Sequence, residues 1–289
     1  MKILLLGKTG QVGFELHRTL SPLGTIFAPS QEELDLSSPD AFASFLDQTR
    51  PDLIANAAAY TAVDAAEENR EDARRLNAQL PEQLAAYCKS HGAFLVHYSS
   101  DYVYPGHGND PWQETSETGP LSVYGQTKLE GDQAIAKSGC EHYIFRTSWV
   151  YSARGNNFMK TMLRLAQSKT ELNIVADQIG APTPARLIAQ ITTLAIHSNL
   201  PGGLYHLAPQ GATSWHGFAQ AIFRLAKAQG ETLAMGPENA HPIPTSDYPT
   251  PAERPLNSRM ALGKLEDAMS IKLPDWRSQL EQTLSEYLV

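Results

Sequence analysis

The chain opens on an unbroken apolar run at residues 2–6 that stops at Gly7, and an amphipathic stretch at 11–20 follows it. A short run of this kind reads as a strand buried on both faces, and the longer stretch reads as a helix. The alternation continues. Strands are expected at 25–28, 52–56, 94–98 and 143–147, and helices at 39–48, within 69–90 and at 122–138. Ser38 and Pro39 give the second of these helices an N-cap and a first-turn proline. Strands alternating with helices predict an α/β fold, a doubly wound parallel sheet with helices on both faces. Beyond residue 150 the pattern is less regular, with helices expected at 157–168, 184–197 and 214–229 and strands at 172–176 and 203–207. The stretch 241–257 holds Pro242, Pro244, Pro249, Pro251 and Pro255, which suit neither a helix nor a central strand. It reads as a long loop, either a binding element or a connector.

Composition narrows the function classes. A 289-residue chain with 42% hydrophobic residues can bury a core without disulfides or a structural metal. A net charge of -8 with no basic run argues against nucleic acid as a partner. Cys88 and Cys140 stand apart, outside any C-x-x-C pair, so neither a disulfide framework nor a zinc cluster is expected. This usage fits a reducing cytoplasm. The opening run is too short for a signal peptide core or a membrane span, so no membrane association is expected.

The first strand runs into Gly7-Lys8-Thr9-Gly10-Gln11-Val12-Gly13, a G-x-x-G-x-x-G turn between strand and helix. Glycine allows the tight turn and a close approach of backbone to a pyrophosphate, and the helix N-terminus offers unpaired N–H groups. The fold expectation sharpens to a Rossmann-like dinucleotide-binding domain over 1–150, with a smaller C-terminal α/β substrate domain mainly over 151–289. Segments near 171–207 are expected to return to the first domain's sheet. The second strand ends near Ser30, where an acid would favour NAD. An uncharged serine does not repel a 2′-phosphate, so the lean is toward NADPH, with NADH also accepted. Asp35 and Leu36 could hold the adenine side, although Asp35 reads equally as a turn residue. Small residues after the third strand, Ala57 to Ala59 before Tyr60 and Thr61, leave room for a cofactor over the sheet.

Ser100 and Asp101 follow the fourth strand, and Tyr124 and Lys128 share one face at the start of the next helix. Reduction of a ketone makes an alkoxide that needs a proton donor. A free tyrosine has a pKa of about 10, and a neighbouring ammonium lowers it. Ser100 could stabilise the developing charge. A lone Y-x-x-x-K is usually a solvated helix face; its company here, a glycine turn and a post-strand serine, points to catalysis. His206 and His216 read as structural histidines, and Glu67-Glu68 reads as a solvated helix face.

Together these motifs resemble the extended short-chain dehydrogenase/reductase family, specifically its branch acting on dTDP-linked keto sugars. The match covers 7–12, 56–63, 97–104, 124–128, 145–151, 155–158, 177–183 and 248–259, nearly the whole chain. Its most specific part is Tyr-Pro-Thr-Pro-Ala-Glu-Arg-Pro-Leu-Asn-Ser-Arg at 248–259. The resemblance implies an NAD(P)H-dependent oxidoreductase of dTDP-L-rhamnose and polysaccharide biosynthesis. The implied reaction reduces the 4-keto group of dTDP-4-dehydro-β-L-rhamnose to give dTDP-L-rhamnose. It assigns catalysis to Ser100, Tyr124 and Lys128, with serine where threonine is common, and gives Lys128 a further role in orienting the nicotinamide ribose. Cofactor contacts fall on Gly7, Gly10, Gln11, Val12, Ser30, Asp35, Leu36, Ala59, Tyr60, Thr61, Tyr98, Tyr124 and Lys128. Substrate contacts fall on Ser100, Asp101, Trp149, Arg254 and Asn257, although Trp149 also reads as core. Some members are homodimers bridged by magnesium on glutamates. Glu15 suits that role, but Arg186 stands where an acid is needed, so no metal is expected. Two rivals remain. A sibling epimerase or dehydratase is disfavoured because dehydratases carry Asp-Glu where this chain has Asp101-Tyr102. A non-catalytic cofactor-binding subunit, like the regulatory subunit of methionine adenosyltransferase, shares the fold.

Overall fold

The computed structural model describes residues 1–289, except the side chain of Pro39. Six strands form one parallel sheet: β1 (Lys2–Leu6), β2 (Thr25–Phe27), β3 (Leu53–Asn56), β4 (Phe94–Ser100), β5 (His142–Thr147) and β6 (Gly203–His206). Their spatial order is β2-β1-β3-β4-β5-β6. The order reverses between β1 and β3, and such a switch point opens a crevice at the carboxyl ends of the strands.

The apolar opening run is explained by burial on both sides. Ile3 and Leu5 join one core with Leu16, Phe145 and Ile188, while Leu4 and Leu6 join another with Phe42, Ile54 and Leu84. Each of the four is 0–1% exposed and contributes roughly 1.5–3 kcal/mol by burial. The helices follow in order as α1 (Gln11–Thr19), α2 (Pro39–Thr49), α3 (Leu80–His91), α4 (Val123–Ser138), α5 (Phe158–Ala166) and α6 (Ala185–His197), and all of these but α5 cover the two faces of the sheet. Later come α7 (Trp215–Ala228), α8 (Gly263–Met269) and α9 (Trp276–Leu288). A separate core around Met159, Phe218, Phe223 and Trp276 joins α5, α7 and α9.

Three expectations need correction. β4 does not stop at Tyr98: Ser99 and Ser100 pair with Arg146 and Thr147 of β5, so polar residues continue the strand. Pro242 lies in a strand, Ala240–Ile243, which pairs in parallel with Leu172–Val175 outside the main sheet. A two-stranded sheet has only edges, where proline's missing N–H is tolerated. Glu67 is not simply solvated: its Oε1 accepts from Val123 N at 2.9 Å and so caps the start of α4. No helix among the described residues is long and apolar enough to cross a membrane.

Candidate active site

A cleft of about 980 Å³ lies over the carboxyl ends of β1, β3, β4 and β5. One wall is the first turn. Gly7 has φ +81°, and a Cβ there would meet the Ala57 carbonyl at 2.7 Å. A Cβ on Gly13 would lie 2.0 Å from the Gly7 carbonyl oxygen. The turn closes only with glycine at both places. Gly10 is the N-cap of α1 without a side-chain cap, and no acid stands in the first turn. These amides can receive an anion. Gln11 also links the turn to the later half, because Asn157 Nδ2 donates to its Oε1 at 2.9 Å.

Of the cofactor-side residues read from sequence, Gly7, Gly10, Gln11, Val12, Ser30, Asp35, Leu36, Ala59, Thr61, Tyr98, Tyr124 and Lys128 line this cleft. Ser30 has company the sequence did not suggest: its N–H donates to Glu33 Oε2 at 2.6 Å, and Lys8 Nζ lies 3.7 Å from that carboxylate. Asp35 Oδ1 accepts from Ser37 N at 2.8 Å, which makes it a turn residue as well as a lining one. Tyr60 is outside the lining; Asn77 grips its backbone, accepting from Tyr60 N at 2.9 Å and donating to Tyr60 O at 3.1 Å. Asn77 also donates to Thr127 Oγ1 at 3.2 Å, tying that loop to α4. It sits in a π-helical turn, Arg75–Gln79, that leads into α3. Such turns often mark functional regions, but a single asparagine in a helical pattern gave no sign of it.

Ser100, Asp101, Tyr124 and Lys128 converge on the same cleft. Ser122 caps α4, its Oγ accepting from Gly125 N at 3.2 Å. A Cβ on Gly125 would lie 2.3 Å from the Tyr102 carbonyl, so this glycine lets the helix start approach the end of β4. Lys128 is 1% exposed, and its Nζ donates to Tyr98 O at 2.6 Å and lies 3.3 Å from His97 Nε2. Burial lowers its pKa to about 8, against the pull of Asp132. Burial also pushes the Tyr124 phenol up, with Ser100 opposing. The depression by Lys128 expected from spacing is therefore not found here: the ammonium is directed at Tyr98 and His97, and desolvation dominates the phenol. Asp101 is 2% exposed, accepts from Ser100 Oγ at 3.0 Å and has a pKa raised to about 6 by burial.

On the opposite wall Trp149 lines the cleft with φ +49°, and its ring stacks on Trp215 at 3.7 Å and 12°. Gly180 leaves space for it, since a Cβ there would come within 2.9 Å of the indole. Trp215 was not singled out in sequence; its one signal is its place just after Ser214, the N-cap of α7. Arg254 and Asn257 do not line the cleft. Arg254 donates to Asp64 Oδ2 at 2.6 Å and to Tyr102 OH at 3.2 Å. Asn257, 1% exposed, donates to the carbonyls of His107 and Asp110 and pins the loop. His206 and His216 are held by Tyr104, Ala261 and Ala240.

At the other flank of α1, Arg186 Nη2 donates to Glu286 Oε1 at 2.6 Å and Nε lies 3.5 Å from Glu15 Oε2. A guanidinium thus already neutralises the two carboxylates. Among the described residues no cluster of three His, Cys, Asp or Glu is placed to hold a metal ion.

A parallel sheet with a glycine turn at its switch point, and a serine, tyrosine and lysine gathered beside it, defines the dinucleotide-dependent reductase and epimerase class. The chain belongs to the family described as RmlD substrate binding domain, whose model matches residues 1–289. It is 48% identical to a dTDP-4-dehydrorhamnose reductase from Shigella flexneri, over 99% of this chain and 98% of the relative. A solved dTDP-4-dehydrorhamnose reductase from Clostridium acetobutylicum superposes with TM-score 0.93 at 33% identity, covering 100% of both chains. Another, from Bacillus anthracis in complex with NADP, superposes with TM-score 0.91 at 32% identity, covering 99% of both.

Proposed function

We infer that this protein is an NADPH-dependent oxidoreductase, able also to use NADH, that reduces the 4-keto group of dTDP-4-dehydro-β-L-rhamnose to give dTDP-L-rhamnose. The observation that carries this reading is the meeting of Ser100, Tyr124 and Lys128 in the cleft that the Gly7 turn also lines. The residues present fit the cofactor: the glycine turn admits a pyrophosphate, and Lys8 beside Ser30 offers a cation to a 2′-phosphate once the exposed Glu33 carboxylate turns away from the Ser30 N–H. When bound, the cofactor supplies the hydride. Reduction places negative charge on the former carbonyl oxygen. Tyr124, kept protonated by burial, donates a proton to that oxygen. The Ser100 hydroxyl turns from Asp101 to hydrogen-bond the same oxygen. The Lys128 ammonium favours the tyrosinate left behind and orients the nicotinamide ribose.

The cofactor lies on the 1–150 half, and the sugar nucleotide lies between that half and 151–289, against Trp149 and Asp101. The buried free cysteines, Cys88 and Cys140, fit a cytoplasmic setting. The test follows NADPH absorbance with purified protein and the 4-keto sugar generated in place from dTDP-glucose. Oxidation that depends on the sugar is expected. Cofactor binding without oxidation would instead favour a non-catalytic binding subunit.

A further inference from the structure

Behind the catalytic helix lies a buried set of charges that the reaction as described does not use. Tyr124, Lys128 and Asp132 follow one another at steps of four along α4, on one face of the helix. Asp132 is 4% exposed. Its Oδ2 accepts from Ser99 Oγ at 2.9 Å and Arg146 Nε at 3.0 Å. Its Oδ1 is buried and has no hydrogen-bond partner among the described residues. That oxygen lies 4.0 Å from His97 Nε2, which is itself 3.3 Å from Lys128 Nζ. His97 is 1% exposed and held neutral by burial and by Lys128. It stands as a polar spacer between ammonium and carboxylate, with Asn56 Nδ2 3.2 Å from its Nδ1.

A lysine taken wholly out of water loses its proton unless a countercharge holds it. Lys128 has no carboxylate within salt-bridge distance among the described residues; the Tyr98 carbonyl gives it only a dipole. Asp132 is the one charged side chain that favours its protonated form. The groups facing Asp132 are Lys128 on its own helix, His97 and Ser99 from β4, Arg146 from β5 and, beyond Arg146, the Tyr104 hydroxyl, with Tyr124 on the far side of Lys128. Burial pushes the Asp132 carboxyl up, while Arg146 and Lys128 favour its charged form.

Resting on the reductase reading, we propose that Asp132 is a positioning residue: across His97, it keeps Lys128 charged and so sets the pH range in which Tyr124 can act. A carboxylate needed only for packing has no reason to leave one oxygen unpartnered on the side of His97 and Lys128.

The titration of Lys128 tests this directly. It is followed by 13C NMR in protein carrying lysine labelled at Cε, the signal being assigned by its loss in Lys128→Met. In the wild type a midpoint of about 8 is expected. Asp132→Asn lowers it by about one unit or more, and the alkaline limb of kcat/KM moves down with it. At pH 8 the protonated fraction of Lys128 falls from about one half to about one eleventh, so the variant is roughly fivefold slower, while at pH 6 it recovers to near the wild type. Asp132→Asn leaves Arg146 buried without its partner. If that variant does not fold, Asp132→Asn/Arg146→Met removes both charges, and the same downward shift is expected because Asp132 is the charge acting on Lys128. A folded variant whose lysine midpoint and alkaline limb stay put, with activity lowered evenly at every pH, overturns the proposal. Wild-type protein that fails to oxidise NADPH with the sugar counts against the reductase reading alone, since the NMR titration needs no turnover.

Discussion

The two walls of the cleft are made by different means. The wall beside β1 is backbone: the turn from Gly7 to Gly13 works because side chains are missing from it, and a Cβ at either end collides with main chain. The wall beside β5 is side chain: Trp149, held at a positive φ, lies flat on Trp215 from a helix more than sixty residues further on. A backbone wall binds a feature common to many ligands, a pyrophosphate. A wall of stacked side chains can be reshaped by one substitution, so discrimination between substrates belongs there.

The residue between the walls carries the largest expected effect. Tyr124→Phe keeps both walls and removes the proton donor; turnover falls by about a hundredfold or more while NADPH still binds, measured by fluorescence titration alongside kcat. Retained activity would mean that the proton comes from elsewhere, Asp101 being the buried acid at hand. Next in size is Gly13→Ala. The added methyl meets the Gly7 carbonyl, the turn must shift, and NADPH affinity drops roughly tenfold or more, with a stability loss of about 1–3 kcal/mol by denaturant titration. An unchanged cofactor Kd would remove the claim that this wall depends on missing side chains. Trp215→Leu gives the smallest effect and sharpens the contrast most. Loss of the stack raises KM for the sugar nucleotide by several-fold, consistent with roughly 0.5–1.5 kcal/mol for an aromatic pair, and leaves the cofactor Kd alone. A matching change in both constants would show that the walls are not separate.

The same contrast explains what could be read from the chain. The glycine spacing is legible because a local turn imposes it, and Tyr124 and Lys128 are legible because a helix fixes their common face. Trp215, Asn77 and Asp132 were missed because their partners come from distant segments, even though Asp132 shares the helical face of Lys128. Asn77 acts through Tyr60 and Thr127, and Asp132 through β4 and β5. Arg254 and Asn257 show the opposite case. Their motif is specific, but in this structure Arg254 is paired with Asp64 and Tyr102, and Asn257 ties its loop to the carbonyls of His107 and Asp110. The end of β4 was cut short in sequence because the apolar run gives way to Ser99 and Ser100; their pairing with Arg146 and Thr147 continues the strand.

The last strand of the sheet has a consequence for biosynthesis. β6 covers the outer edge of β5, yet it follows β5 by more than fifty residues. Until those residues leave the ribosome, the nascent chain carries β5 with bare N–H and C=O groups along one side, the kind of edge that recruits a neighbouring chain. The clasp of Arg186 on Glu15 and Glu286 comes later still, joining the first helix to the last. The amino-terminal half therefore lacks one paired edge of its sheet until β6 arrives, and the interval between synthesis of β5 and of β6 is when edge-to-edge association is expected.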